Sequence, residues 1–134
     1  MEKSDYFKVA SSEYPLVHGQ VFGFWSDEFV DQLGAAVLAE WRQAVDRMGG
    51  RPFLVLAEVS MTAASPRGKA LMAQIMSYAK SKQLYRSVEV LPGALVKINI
   101  QSSARQSEGG DNFRIVVDTL EAGRQEIQRL QGEL

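Results

Sequence analysis

The hydroxyl residues that follow the apolar run at residues 53–57 are the ones best placed for chemistry in this sequence. Ser60, Thr62 and Ser65 separate that run from Pro66, where a helix is predicted to begin. Serine is a good helix N-cap and proline is favoured at the first helical position. Unpaired backbone N–H groups at the start of a helix attract anions. We therefore predict that a ligand, a phosphate or a partner meets the chain at this junction.

Two interpretations of the residues after Ser65 stay open. The backbone N–H groups of residues 66–68 and the side chains of Arg67 and Lys69 could hold an anion, with Gly68 allowing a close approach. Alternatively, Ser65 only caps the helix, which contributes on the order of 1 kcal/mol. The segment lacks the glycine-rich or Gly-Lys-Ser pattern that cradles nucleotide phosphates.

His18 is the single histidine of the chain and lies on a predicted strand between Val17 and Gly19. General-base chemistry would need a carboxylate or a serine across the sheet from it. One histidine without cysteine partners makes a poor metal site. We therefore expect His18 to be structural, and we expect neither a metal ion nor a cofactor.

The aromatic residues follow strand and helix spacing, which favours packing in the core. The alternative is that they line a pocket for an apolar ligand or form a dimer surface. This set comprises Phe22, Phe24, Trp25, Phe29 and Trp41.

At 134 residues the chain fits a single domain, which we assign to residues 1–134. It has no cysteine, no apolar run of membrane-spanning length and no apolar core near residue 1, so we expect a cytoplasmic protein. The formal net charge of -1 gives no reason to expect binding to nucleic acid or membranes. Residues 49–105 are basic, with eight Lys and Arg against two Asp and Glu. Solvated helix faces commonly explain such a bias, and a preference for anions is the alternative.

Hydrophobic periodicity predicts alternating strands and helices. Strands at 6–10 and 16–25 form an N-terminal β-hairpin around a turn at 11–15, and Ser26 caps the first long helix. The next elements are a strand at 53–57, a loop at 60–64, a helix from Pro66, strands at 88–91 and 113–117, and a last helix with Asp118 and Glu121 as its capping pair. This order predicts a mixed, mostly parallel sheet of four to five strands with helices packed on it.

Residues 94–103 fit two patterns. Val96, Ile98 and Ile100 alternate with polar residues, which favours a strand. Leu95, Ile98 and Ser102 share one face of a helix, which favours the other structure.

Four segments spread over most of the chain resemble one family. They are GFWSDE (23–28), FLVLAEVSMTAASPRGKAL (53–71), SVEVLPGALVKI (87–98) and IVVDTLEAGRQEIQRL (115–130). Each is similar to a strand and helix segment of the STAS domains, which are named after sulfate transporters and anti-sigma-factor antagonists. The resemblance is to the branch of small stand-alone bacterial domains. It implies an α/β, STAS-like fold for the whole chain and a helix at residues 94–103.

The resemblance also implies a function. In anti-sigma-factor antagonists, the loop after the central strand carries a serine that a partner kinase phosphorylates, and the phosphate abolishes binding. Ser65 matches that serine, with Ser60 and Thr62 in the same loop, although Ala64 and Pro66 differ from the family's Asp-Ser-Ser-Gly-like motif. The family therefore implies a non-enzymatic regulatory module, a kinase or anti-sigma factor as its protein partner, and a homodimer. The alternative is a domain that binds or senses a small anion or apolar molecule.

Overall fold

The apolar run at residues 53–57 lies at the centre of a five-stranded sheet in the computed structural model, which describes residues 1–91 and 113–134. The strands lie side by side in chain order. They are β1 (Phe7–Glu13), β2 (Leu16–Trp25), β3 (Phe53–Ala64), β4 (Leu84–Val90) and β5 (Arg114–Val117). The helices are α1 (Asp27–Asp46), α2 (Pro66–Ser81) and α3 (Leu120–Gln131), and a 3-10 turn at Lys3–Asp5 precedes β1.

β1 and β2 form the predicted N-terminal hairpin, and the three remaining strand pairs are parallel. A parallel neighbour is reached only through a crossover, and α1 and α2 provide those from β2 to β3 and from β3 to β4. Ser26 caps α1 as predicted, because its hydroxyl accepts a hydrogen bond from the Phe29 N–H at 3.1 Å. The predicted mixed, mostly parallel α/β fold is therefore confirmed.

The first part of β3, residues 53–56, is buried on both faces, which explains its continuous apolar sequence. Phe53 and Val55 point towards α1 and α2, where the larger part of the core lies. Leu54 and Leu56 point to the opposite face and pack with residues of β4 and α3. The sheet thus separates two helical layers, and the start of α2 lies at the edge where β2 and β3 end.

The structure corrects the predicted ends of two strands. β1 continues to Glu13, with a register shift after Ala10, so that the turn contains only Tyr14 and Pro15 and has a cis peptide bond. β4 begins at Leu84 and is longer than predicted, because it pairs with β3 along most of its length. The period of the apolar residues identified both strands, whereas pairing decides where each one ends.

α3 begins at a different cap from the one predicted. The hydroxyl of Thr119 accepts a hydrogen bond from the Ala122 N–H at 3.1 Å, so Thr119 is the N-cap in place of Asp118. The two alternatives for residues 94–103 lie outside the described residues. Within the described residues, no helix is both long and apolar enough to cross a membrane.

Glu89 and Arg114 form a buried ion pair between β4 and β5. Glu89 is 4% exposed, and the Arg114 guanidinium donates to both of its carboxylate oxygens at 2.6–3.0 Å. Burial raises the pKa of Glu89, and the adjacent Arg114 opposes that increase. The pair holds an edge strand of four residues against the sheet.

We predict that Arg114→Met lowers the free energy of unfolding by about 3–5 kcal/mol near neutral pH, because it leaves a buried carboxylate without its partner. The pKa of Glu89 then rises further, so the variant binds a proton when folded that it loses when unfolded. The difference in the free energy of unfolding between the variant and the unmodified protein should therefore shrink as the pH falls. Urea unfolding at several pH values measures this effect. Glu89→Gln combined with Arg114→Met is the control and should abolish the extra pH dependence. An equal deficit at every pH would contradict this prediction.

Candidate functional site

Ser65 lies at the junction of β3 and α2, as the sequence predicts. Its hydroxyl accepts a hydrogen bond from the Gly68 N–H at 3.1 Å, which makes it the N-cap of α2, and Pro66 is the first helical residue. The Ser65 N–H donates to the carbonyl oxygen of Trp25 at 2.9 Å. Ser65 is half-buried, and these two hydrogen bonds hold it at the end of the sheet.

Gly68 is required by packing within the chain. A Cβ atom at this position would lie 2.2 Å from the carbonyl oxygen of Trp25, which is far inside the contact distance of the two atoms. Trp25 is fully buried, and its indole N–H donates to the carbonyl oxygen of Phe22 at 3.1 Å. The first turn of α2 therefore lies directly on the backbone at the end of β2.

Arg67 forms an ion pair with a carboxylate of α1. Its guanidinium lies 2.5 Å from the Asp31 carboxylate, and both side chains are more than half exposed. The hydrogen bond lowers the pKa of Asp31 and raises the pKa of Arg67, and Asp27 adds a smaller attraction to Arg67. An anion at the start of α2 would have to compete with Asp31 for this guanidinium. Lys69 is exposed on the same turn. The anion-binding role of Arg67, Gly68 and Lys69 stays a prediction.

The segment predicted as a loop at residues 60–64 is a continuation of β3. It pairs with the end of β2, from Ser60 opposite Phe22 to Ala64 opposite Trp25. Gly23, which has a φ of 69°, lies at the register shift that keeps the two strand ends paired. Ser60 and Thr62 are exposed on this strand, shortly before Ser65 in the chain. Their proposed contact with a partner stays a prediction.

Phe24 is the residue of this region whose burial the sequence spacing predicts wrongly. Trp25, Phe29 and Trp41 are buried as predicted, but Phe24 is 51% exposed and pairs with Ala63 at the end of the sheet. Successive side chains of β2 point to opposite faces of the sheet, so Phe24 points away from the face on which Trp25 is buried. An exposed phenylalanine beside the start of α2 adds an apolar contact point to the hydroxyl and charged groups there.

His18 does have an acidic neighbour across the sheet. Its Nε2 lies 2.5 Å from the Glu58 Oε2, and the Gln20 amide donates to the same oxygen at 3.0 Å. His18 lines neither of the two grooves that flank α1, which have volumes of about 520 and 420 Å³. The carboxylate that general-base chemistry would need is therefore present, and it also satisfies the imidazole within the sheet, so the structural role of His18 stays a prediction.

The fold and the position of Ser65 can be compared with known proteins. No protein-family model and no curated protein matches the chain. The structure of the anti-sigma factor antagonist SpoIIAA in its unphosphorylated form aligns with a TM-score of 0.60 and 14% identity, over 94% of this chain and 98% of that one. The chain has a SpoIIAA-like fold. This result confirms the predicted STAS-like architecture.

Two further structures share the SpoIIAA-like fold. An uncharacterised protein from Shewanella loihica PV-4 aligns with a TM-score of 0.60 and 8% identity, over 91% of this chain and 94% of that one. An anti-sigma factor antagonist from Mycobacterium paratuberculosis aligns with a TM-score of 0.54 and 10% identity, over 96% of this chain and 99% of that one. At these identities the similarity concerns the fold.

We predict that Gly68→Ala lowers the free energy of unfolding by about 1–3 kcal/mol, because the added Cβ forces α2 away from Trp25. Ordinarily, glycine to alanine within a helix is stabilising. Gly132→Ala is the matched control: Gly132 has a φ of -67°, and its added Cβ would lie 3.4 Å from the Arg129 carbonyl oxygen. Urea unfolding measures both variants. A Gly68→Ala variant as stable as Gly132→Ala would show that the contact with Trp25 is not restrictive.

Proposed function

We propose that this chain is a non-enzymatic regulatory module that binds another protein through the end of its β2–β3 pair and the start of α2. We name this region the Ser65 surface and define it by Phe24, Ser60, Thr62, Ser65 and Arg67. The observation that carries the proposal is the position of Ser65, a half-buried serine that caps the N-terminus of α2 in a SpoIIAA-like fold. Two of the structures that share the fold are anti-sigma factor antagonists.

The chemistry of the Ser65 surface suits regulation by phosphorylation. A phosphate on Ser65 would add nearly two negative charges where the N-terminus of α2 favours an anion. Arg67 could then turn from Asp31 to the phosphate, since guanidinium groups bind phosphate in a bidentate manner. Asp27 and Asp31 would at the same time be left beside a new anion. A partner that recognises the neutral surface would therefore lose affinity.

The proposal includes the class of partner, the oligomeric state and the location. A kinase would modify Ser65, and an anti-sigma factor is the class of protein that the fold suggests as the binding partner. We also propose that the protein acts as a homodimer. We place it in the cytoplasm, because a chain without cysteine needs no oxidising environment. Light scattering coupled to size-exclusion chromatography would measure the mass of the particle in solution.

We predict that Ser65→Asp weakens capture of the partner by about tenfold or more, because it places a negative charge on the Ser65 surface. Ser65→Asn is the matched control, since asparagine caps a helix as well as aspartate and serine do but carries no charge. The measurement is affinity capture from the native host with each variant as bait, followed by quantitative mass spectrometry. The unmodified protein and Ser65→Asn should retain the same partner, which Ser65→Asp loses.

Two results would count against this function. If Ser65→Asp retains the partner as well as the unmodified protein does, charge at Ser65 does not control binding. If Ser65→Asn loses the partner to the same extent, the hydroxyl itself is needed and the regulatory role of charge is wrong. Melting temperatures of the three proteins should agree closely, because all three residues cap α2.

A further inference from the structure

Five exposed cations collect at the edge of the domain opposite the Ser65 surface. We name this region the basic edge; its members are Arg42, Arg47, Arg51, Lys80 and Lys82. The topology explains their proximity. α1 and α2 both run back from the carboxyl ends of the parallel strands, so both helices end where β3 and β4 begin. Arg51 lies in the connection that follows α1, and Lys82 is the C-cap of α2.

Aromatic rings hold four of these cations in place. The Arg51 guanidinium lies 3.8 Å from the ring centre of Tyr14. Arg42 and Lys82 approach the same ring, that of Tyr78, at 5.3 and 5.5 Å. Lys80 lies 4.4 Å from the ring centre of Phe113. Cation–π contacts of this kind order a long side chain without neutralising its charge.

Carboxylates do not neutralise the basic edge within the described residues. None of its five cations lies within 4.0 Å of a carboxylate from residues 1–91 or 113–134. Asp46 is close by, but it accepts a hydrogen bond from the Tyr78 hydroxyl at 2.6 Å. The C-terminal dipoles of α1 and α2 favour nearby cations. Arg51 lies beyond Gly49 and Gly50 in the connection that follows α1, and its Nε–H donates to the Met48 carbonyl oxygen at 3.2 Å, which leaves its positive charge in place.

We infer that the basic edge binds an acidic segment of a protein, at a surface separate from the Ser65 surface. The charge on the edge is complementary to Asp and Glu side chains, and the ordered guanidinium groups suit carboxylates. Nucleic acids and anionic membranes carry charge of the same sign, so the experiment compares both with the acidic segment. The formal net charge of -1 gives no long-range attraction to any polyanion, so binding depends on this local group of cations.

The test uses the full chain and a fluorescein-labelled decaglutamate peptide as the probe. Fluorescence anisotropy gives the affinity, and amide shifts of the ¹⁵N-labelled protein locate the site. Arg51→Gln with Lys82→Gln should weaken binding roughly three- to tenfold through the loss of two exposed charge contacts. Lys8→Gln with Arg124→Gln removes the same net charge from other exposed positions and should leave the affinity within about twofold.

The outcome decides between this proposal and its competitors. Shifts centred on the amides of Arg51, Tyr78 and Lys82 support it. Equal losses in the two double variants, or shifts centred on Ser65, would overturn it. Binding of an oligothymidine of the same length, or of vesicles that contain phosphatidylglycerol, more tightly than the decaglutamate would also overturn it. The basic edge would then prefer phosphate groups to carboxylates. None of these results depends on charge at Ser65, so this proposal and the proposed function can fail separately.

Discussion

The position of the Ser65 surface depends on one atom, the carbonyl oxygen of Trp25. It accepts the Ser65 N–H at 2.9 Å, and the first turn of α2 packs so closely on it that only glycine fits at position 68. Trp25 is in turn fixed by the core, because its ring packs at a tilt against Phe29, with ring centres 4.8 Å apart, and its indole N–H donates to the Phe22 carbonyl oxygen. Ser65, which is only half-buried, is therefore held in place by the most buried part of the domain.

The parallel topology places two chemically different surfaces at opposite edges of the sheet. At one edge, where β2 and β3 end, a capped helix begins beside Phe24 and the carboxylates of α1. At the other edge, the helices end and aromatic rings support exposed cations. Under the proposed function, one partner would bind under the control of Ser65, and the basic edge would carry a second, charge-dependent contact. Each surface is formed by different side chains, so each can be altered alone.

Local chemistry made much of this architecture predictable. The capping serines Ser26 and Ser65 followed from residue type, and the buried β3 followed from its unbroken apolar run. The contact between Gly68 and Trp25 was not predictable, because it joins residues that are distant in the chain and depends on how α2 packs. The same limit applies to Phe24, whose exposure depends on strand register, and to residues 60–64, which become a strand because β2 extends alongside them.

Photo-crosslinking from position 24 tests the central claim most directly. A photoreactive phenylalanine derivative in place of Phe24 keeps the aromatic ring at the Ser65 surface and reacts only with a protein in contact with it. In living cells of the native host, we predict one crosslinked product for the protein with Ser65 intact and its loss when Ser65→Asp is added. A product of equal yield in both proteins, or no product in either, would contradict the account of Ser65 as the residue that controls partner binding.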